Sequence, residues 1–244
     1  MGRYGEAIKE AQTALAIAVE IDHFQWMAGA YGTLGYLYLD LLDWELAREK
    51  FELALAIAKE VGSQYFINSS AGELAEVHIL LRDLDQARAC LEPEISPETP
   101  MNSIGQRILW KARAELALAD GEISLALQIV DRLISAGASM PADGVISILW
   151  HMRARIMLAA GKYAEAERLL LAGIKNAQYF GERALLWKLY GTLGLAYRDQ
   201  SLNLESSKAI RKAQEIVDML ASTLPDKAIQ DEFTQRAKEH LEDE

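Results

Sequence analysis

The 244-residue chain has one cysteine, Cys90, and only five prolines. A single cysteine excludes an internal disulfide framework and any zinc site built from several cysteines. Basic side chains are scarce beside acidic ones, 25 against 36, for a net charge of −11. That balance argues against a nucleic-acid surface, which needs clustered lysine and arginine. No apolar run approaches the roughly 18 residues of a membrane-spanning helix. The start, Met1-Gly2-Arg3-Tyr4-Gly5-Glu6, has no apolar signal core, and Glu6 departs from the myristoylation pattern. A cytoplasmic protein is expected. Hydrophobic residues make up 51% of the chain, too many for disorder.

What is present is repetition. Tyr-Gly-Thr-Leu-Gly occurs at Tyr31–Gly35 and again at Tyr190–Gly194, 159 residues later. Ala-Leu-Ala-Ile-Ala occurs at Ala14–Ala18 and at Ala54–Ala58, 40 residues later. The small residues Ala7, Ala47, Ala87, Ala126, Ala166 and Ser206 keep the same step of 39 or 40.

Each period reads as two helices. Tyr31, Leu34, Gly35 and Tyr38 follow the i, i+3, i+4, i+7 spacing of one apolar helical face. Leu42-Asp43 makes a short break, and Trp44, Ala47, Phe51, Ala54 and Leu55 form a second such face. Gly62 and Gly181 are natural helix stops. The arithmetic predicts a leading half-repeat over 1–21 and hairpins over 22–62, 63–101, 102–141, 142–181 and 182–222. A terminal capping helix is predicted over 223–244, starting at Pro225-Asp226 and presenting Ile229, Phe233, Ala237 and Leu241. One hairpin cannot bury its own faces, so the units stack. The fold class expected is all-α, about twelve helices in a right-handed α-solenoid.

These residues carry a resemblance to the tetratricopeptide repeat family. Its motif reads Trp/Tyr-x2-Leu-Gly-x2-Tyr on a first helix and Ala-x3-Phe-x2-Ala on a second. Tyr31, Leu34, Gly35, Tyr38, Ala47, Phe51 and Ala54 match throughout. Tyr190, Leu193, Gly194, Tyr197, Ser206, Ile210 and Ala213 match more loosely, and the middle units more loosely still. The period near 40 exceeds the family's usual length. Pro93, Pro97 and Pro100 must cut one second helix short, because proline lacks the N–H and clashes inside a helix. Asn102 or Ser103 is then expected to cap the next helix, and Gly137–Gly144, with Pro141, is expected as a looser joint. Segments such as Arg153-Ala-Arg155-Ile-Met-Leu-Ala-Ala-Gly161 and Leu224-Pro-Asp226 with Phe233-Thr-Gln-Arg236-Ala237 resemble the C-terminal sensor regions of large bacterial signalling ATPases and cyclases.

Catalytic chemistry has no foothold in the pattern. Gly29, Gly32 and Gly35 sit inside a helix rather than after a strand, so they are not a phosphate loop. His23, His78, His151 and His240 are dispersed, with no zinc-binding spacing. His78 reads as a core histidine with a hydrogen-bond partner, and Cys90 as a buried inert thiol. Trp44, Trp110 and Trp150 read as packing residues, and Trp26 and Trp187 as fillers between repeats. Neither an enzyme nor a cofactor or metal site is expected.

The family resemblance implies that the first helices line a concave groove. The ligand-facing positions carry Gly32 and Tyr36, Gly72 and Glu76, Lys111 and Glu115, His151 and Arg155, and Gly191 and Leu195. Three glycines would leave the groove floor open to a backbone, and Lys111, His151 and Arg155 would hold an acidic group on a peptide or partner helix. The alternative for Lys111 and Glu115 is a plain i, i+4 surface pair. Arg113 and Arg153, at apolar motif positions, require carboxylate or carbonyl partners if buried. The half-repeat's Tyr4, Ala7, Ala11 and Ala14 would be left partly uncovered. Either a cut from a longer protein or a homodimer completing that edge accounts for it. The expected function is a scaffold or sensor module that binds a protein or peptide in bacterial signalling, with no nucleic-acid or membrane partner. The alternative is a small-molecule-sensing regulatory domain of a larger signalling ATPase or cyclase.

Overall fold

The structure, a computed structural model, describes residues 2–137 and 144–243. Its regular elements, among the described residues, are twelve α-helices. They are α1 (Tyr4–Glu20), α2 (Phe24–Asp40), α3 (Trp44–Val61), α4 (Gln64–Leu80), α5 (Leu84–Leu91), α6 (Ile104–Ala119), α7 (Ile123–Gly137), α8 (Gly144–Ala159), α9 (Tyr163–Phe180), α10 (Arg183–Asp199), α11 (Asn203–Ala221) and α12 (Lys227–Asp243). The joint expected around Pro141 falls outside the described residues. The chain divides into two compact units, one of Glu6–Ala136 and one of Gly137–Glu244 with Met1–Gly5.

A single turn design recurs through both units. Asp22, Leu42, Gly62, Arg82, Gly121, Gly161, Gly181 and Ser201 all have φ between 52° and 76°. The N–H of each following residue returns to a carbonyl five residues earlier, as in Asp43 to Tyr38 at 2.9 Å and Lys162 to Met157 at 2.8 Å. This is the left-handed helix stop that satisfies otherwise orphaned carbonyls. The stops fall at steps of about 20, or double that, so the turn repeats at half the sequence period. The next helix is then capped at its start where the side chain permits. Asp43 and Asp83 accept from the N–H groups of Leu46 and Gln86.

The regular step fails after Leu91. There α5 stops at eight residues, ahead of Pro93, and α6 starts afresh at a capping box. Ser103 accepts from the Gln106 N–H, and the Gln106 side chain accepts from the Ser103 N–H. The Trp110 indole donates to the Thr99 carbonyl at 3.1 Å, tying the proline-rich connection to α6.

In the hairpins of α2–α3 and α10–α11 a glycine on the first helix meets a large residue on the second. A Cβ added to Gly35 would lie 2.7 Å from the Phe51 ring, and one on Gly194 would lie 2.6 Å from Ile210. In the α4–α5 hairpin Ala75 and Leu91 are buried in one apolar cluster. The central core of the first unit joins Leu39, Ala47 and Phe51 of one hairpin to Leu74 and Val77 of the next. In the other unit α12 packs on α11 and touches α10 through Leu241 beside Gly191 and His240 beside Trp187, burying Phe233, Ala237 and Leu241, while Ile229 stays exposed.

Tyr4, expected to be partly uncovered, is 4% exposed, edge-on to Phe233, and its N–H donates to the Thr223 hydroxyl. Arg113 and Arg153 have the carboxylate partners expected of them, although neither is fully buried: their side chains stay 30% and 27% exposed and reach a glutamate at the start of the following helix, Glu122 at 3.6 Å and Glu165 at 3.7 Å. The long arginine stem lets the guanidinium leave the apolar position it starts from.

A non-glycine residue with positive φ carries local strain of about 1–2 kcal/mol. Arg82 is exposed with φ 63°, so its side chain gives little in return. Arg82→Gly is therefore expected to stabilise the chain by about 0.5–1 kcal/mol, read as a higher urea midpoint. A lower midpoint would show that the turn is held by the arginine side chain instead.

Candidate functional site

Helix α4 departs from the amphipathic pattern of its neighbours. It is packed by α2, α3, α5 and α6, and most of it is buried. Its buried set includes Asn68, Ser70, Glu73 and His78. Asn68 accepts from the Gln64 side chain at 2.6 Å. His78 lacks the partner expected of it, since its Nδ1 is buried with no hydrogen bond, and burial pushes its pKa down.

Glu73 is the most demanding of these groups, at 1% exposed. Its Oε1 accepts from the Tyr36 hydroxyl on α2 at 2.5 Å, and its Oε2 is buried without a partner. Close by, Lys111 of α6 pairs with Glu76 at 2.5 Å. Burial pushes the Glu73 carboxyl up to about 7, helped by Glu76 and Asp40, against the pull of Lys111 and the Tyr36 hydroxyl. Burial opposes the Lys111 ammonium, but Glu76 and Glu73 outweigh it and raise its pKa. Burial and the adjacent Glu73 raise the Tyr36 phenol. Fully ionised, Glu73, Glu76 and Lys111 carry one negative charge in excess.

Above Glu73 lies a groove of about 780 Å³ lined by α1, α2 and α4, with Phe51 and Ile108 also contributing. Small residues make the space: Ala7, Ala11 and Ala14 on α1 and Gly29 and Gly32 on α2. Aromatic residues edge it. Trp26 is 58% exposed, stacked on the His23 ring at 4.4 Å, while His23 Nδ1 accepts from the Trp26 N–H. Tyr65 and Tyr36 are also exposed at the groove, and Tyr36 packs edge-on to Phe51 at 5.6 Å. Its charged lining residues, among the described residues, are Glu10 and Glu73, with no lysine or arginine.

No protein-family model matches the chain, and no curated protein matches it. Solved structures do. The TPR-like repeats of a putative kinesin light chain from Podosopora anserina superpose with a TM-score of 0.52 at 17% identity, covering 80% of this chain and 95% of that one. The fold is that of the TPR-like helical repeats. Bacillus thuringiensis PlcR, solved with the peptide PapR7 and DNA, gives a TM-score of 0.71 at 14% identity over 89% of this chain and 75% of PlcR. A Pyrococcus horikoshii signal transduction ATPase with a tetratricopeptide repeat sensor gives 0.58 at 17% identity, over 85% of this chain and 33% of the ATPase.

Within these TPR-like repeats the ten expected groove positions separate. Gly32 and Tyr36 line the groove, and a Cβ on Gly32 would meet nothing within 4 Å. Gly72 does not open a floor: a Cβ there would lie 2.8 Å from Ile108 and 3.0 Å from the Leu109 backbone, so it lets α4 and α6 approach. Gly191 is likewise closed, with a Cβ 2.5 Å from Leu241 of α12, and Leu195 is buried. Glu76 and Lys111 are spent on each other, and Glu115 lies half-buried on the same helix as Lys111. His151 and Arg155 belong to the other unit. There the Thr192 hydroxyl donates to the Lys188 carbonyl, so it accepts from His151 Nε2 at 2.8 Å. Arg155 is half-buried on α8. Trp187 is fully buried as expected of a filler, whereas Trp26 is not. Cys90 is half-buried, its thiol pushed up by burial.

Glu73 binds its proton more tightly folded than unfolded. The stabilisation this gives is complete below the ordinary carboxylate value of 4.5 and is lost as pH rises through about 7. Glu73→Gln keeps an acceptor for Tyr36 and removes the titration. Its stability advantage over the native chain should therefore grow by an amount on the order of 1–3 kcal/mol between pH 5 and pH 8. Urea unfolding of both proteins at the two pH values measures this, and a constant difference would place the Glu73 titration elsewhere.

Proposed function

We propose that the chain is a binding module whose groove between α1, α2 and α4 takes up an extended peptide segment of a partner protein. The observation that carries this reading is the exposed aromatic rim around a preformed cavity. Soluble proteins rarely leave Trp26, Tyr65 and Tyr36 exposed around one concavity without an occupant. A wall of alanines and glycines gives a peptide backbone close access, while the aromatic side chains offer rigid apolar contact at low entropic cost. The likeness to PlcR, solved with a bound peptide, is compatible with this reading. So is the likeness to the archaeal ATPase with its repeat sensor, and we place the module in signalling or regulation as a scaffold or sensor. The acidic net charge supports a protein partner over a nucleic acid. The described residues contain no helix long and apolar enough to cross a membrane.

A second reading is a regulatory sensor for a small molecule, because about 780 Å³ also falls in the range of small-ligand cavities. Gly32→Trp separates occupancy of this groove from binding elsewhere. A Cβ at Gly32 meets nothing within 4 Å, so the added side chain starts in open space beside the cavity it is to fill, and circular dichroism melting verifies the fold. Phage-displayed random 12-residue peptides selected on the native chain should lose about tenfold or more in affinity for the Gly32→Trp protein. Peptides that bind both proteins equally would overturn the groove as the binding site. Failure to enrich any peptide would overturn the peptide reading.

A further inference from the structure

The groove reading leaves one feature without a use, the buried free oxygen of Glu73 beneath an aromatic rim. We propose that the groove selects partner segments carrying a lysine, whose ammonium closes on Glu73 Oε2 while its methylene stem lies along Tyr36 and Trp26. This rests on the peptide-binding reading and names the chemistry that such a peptide must bring.

Three observations converge on a cation. The groove's charged lining residues, among the described residues, are Glu10 and Glu73. Glu73 has one oxygen occupied by the Tyr36 hydroxyl and the other buried without a partner, which is costly unless something completes it. The neighbouring Lys111 pairs with Glu76 and attracts Glu73 as well, so one ammonium serves two carboxylates and one negative charge stays in excess when all three are ionised. Aromatic faces at the rim add attraction for a cation and cover for an alkyl stem. Lysine is favoured over arginine by the acceptor geometry. A guanidinium fork is best met by two coplanar carboxylate oxygens, and Glu73 offers one; a single acceptor suits a point-like ammonium. The same geometry disfavours an acidic ligand group, the kind expected for a basic cluster of Lys111, His151 and Arg155.

A pH dependence follows. Glu73 is faced by Tyr36 and Asp40 of α2, Glu76 of its own helix and Lys111 of α6, with Glu10 of α1 also in the groove wall. Of these, Glu73 is the carboxyl raised to about 7, so an entering ammonium must displace its proton at low pH. Binding is expected to strengthen from pH 5.5 to pH 8.

The test uses the full chain, its Glu73→Gln variant and its Gly32→Trp variant, with random 12-residue peptides displayed on phage and selected at pH 8. Circular dichroism melting verifies that each variant is folded. Peptides enriched on the native chain and lost on Gly32→Trp should carry a lysine at a recurrent position, and those enriched on Glu73→Gln should not. Synthesised with norleucine at that position, a selected peptide should lose about tenfold or more in affinity for the native chain and less than about twofold for Glu73→Gln. Arginine at that position should fall between lysine and norleucine. Groove-dependent peptides indifferent to the lysine, or equally lysine-dependent on Glu73→Gln, would overturn this inference and leave the groove reading standing. Absence of any groove-dependent peptide would overturn both.

Discussion

Two helices of a hairpin can approach closely only where one of them has almost no side chain, and the rest of this structure depends on that contact. Gly35 meets the Phe51 ring and Gly194 meets Ile210 at distances a Cβ could not tolerate. Where the first helix carries alanine, as at Ala75, a large residue, Leu91, lies in the same buried cluster. The pairing fixes how each hairpin closes, and the left-handed stops fix where each helix ends. Together they explain why the sequence can be rich in alanine and leucine and still specify one arrangement. The small residues set distance and the large ones set register.

The same logic run without a large partner makes a cavity. Gly32 and Gly29 lie on the helix that carries Gly35, about one and two turns earlier, but no second-helix side chain fills the space beside Gly32. Ala7, Ala11 and Ala14 of α1 face that space with equally short side chains. The groove is thus built from the residue type that elsewhere permits contact, used where contact is absent. Its floor is α4, a helix packed by neighbours on several sides, where a carboxylate is held by a tyrosine on one oxygen. A helix of this kind sets the environment of whatever polar group it carries.

The sequence made the architecture readable because its signal is periodic. The step of 40, the break at Leu42-Asp43, the stops at Gly62 and Gly181, and the shortened helix before Pro93 all correspond to local rules with a chemical cause. The left-handed geometry of the stops at Leu42, Arg82 and Ser201 stayed hidden because these residue types give no sign of a left-handed backbone. The site was legible only in part. Gly32 and Tyr36 were identifiable from helical position, whereas Gly72 and Gly191 were misread. A glycine on a helix face gives the same signal whether it opens a groove or admits a neighbouring helix. Only the position of α6 and α12 decides between the two. Glu73 was missed because it stands between Gly72 and Leu74 without a motif. The available sign was a lone carboxylate in the apolar run Ala71-Gly72-Glu73-Leu74-Ala75.

That sign carries a general physical meaning. Desolvating a carboxylate is unfavourable, and a chain that needed only apolar packing at position 73 could have used leucine or glutamine. Glutamine would still offer Tyr36 an acceptor, though a neutral and weaker one, and would carry no charge. The hydroxyl contact alone needs an acceptor rather than a buried carboxylate. Lys111 compensates part of the charge, but it pairs with Glu76 and attracts both carboxylates at once. The property that distinguishes glutamate from glutamine here is the capacity to place a negative charge, only partly offset, at the floor of an apolar groove. Such a charge costs stability in the empty protein and gains most from a ligand that brings its own cation into the same low-dielectric space. The unfavourable burial and the selectivity proposed for the groove are two consequences of a single residue choice.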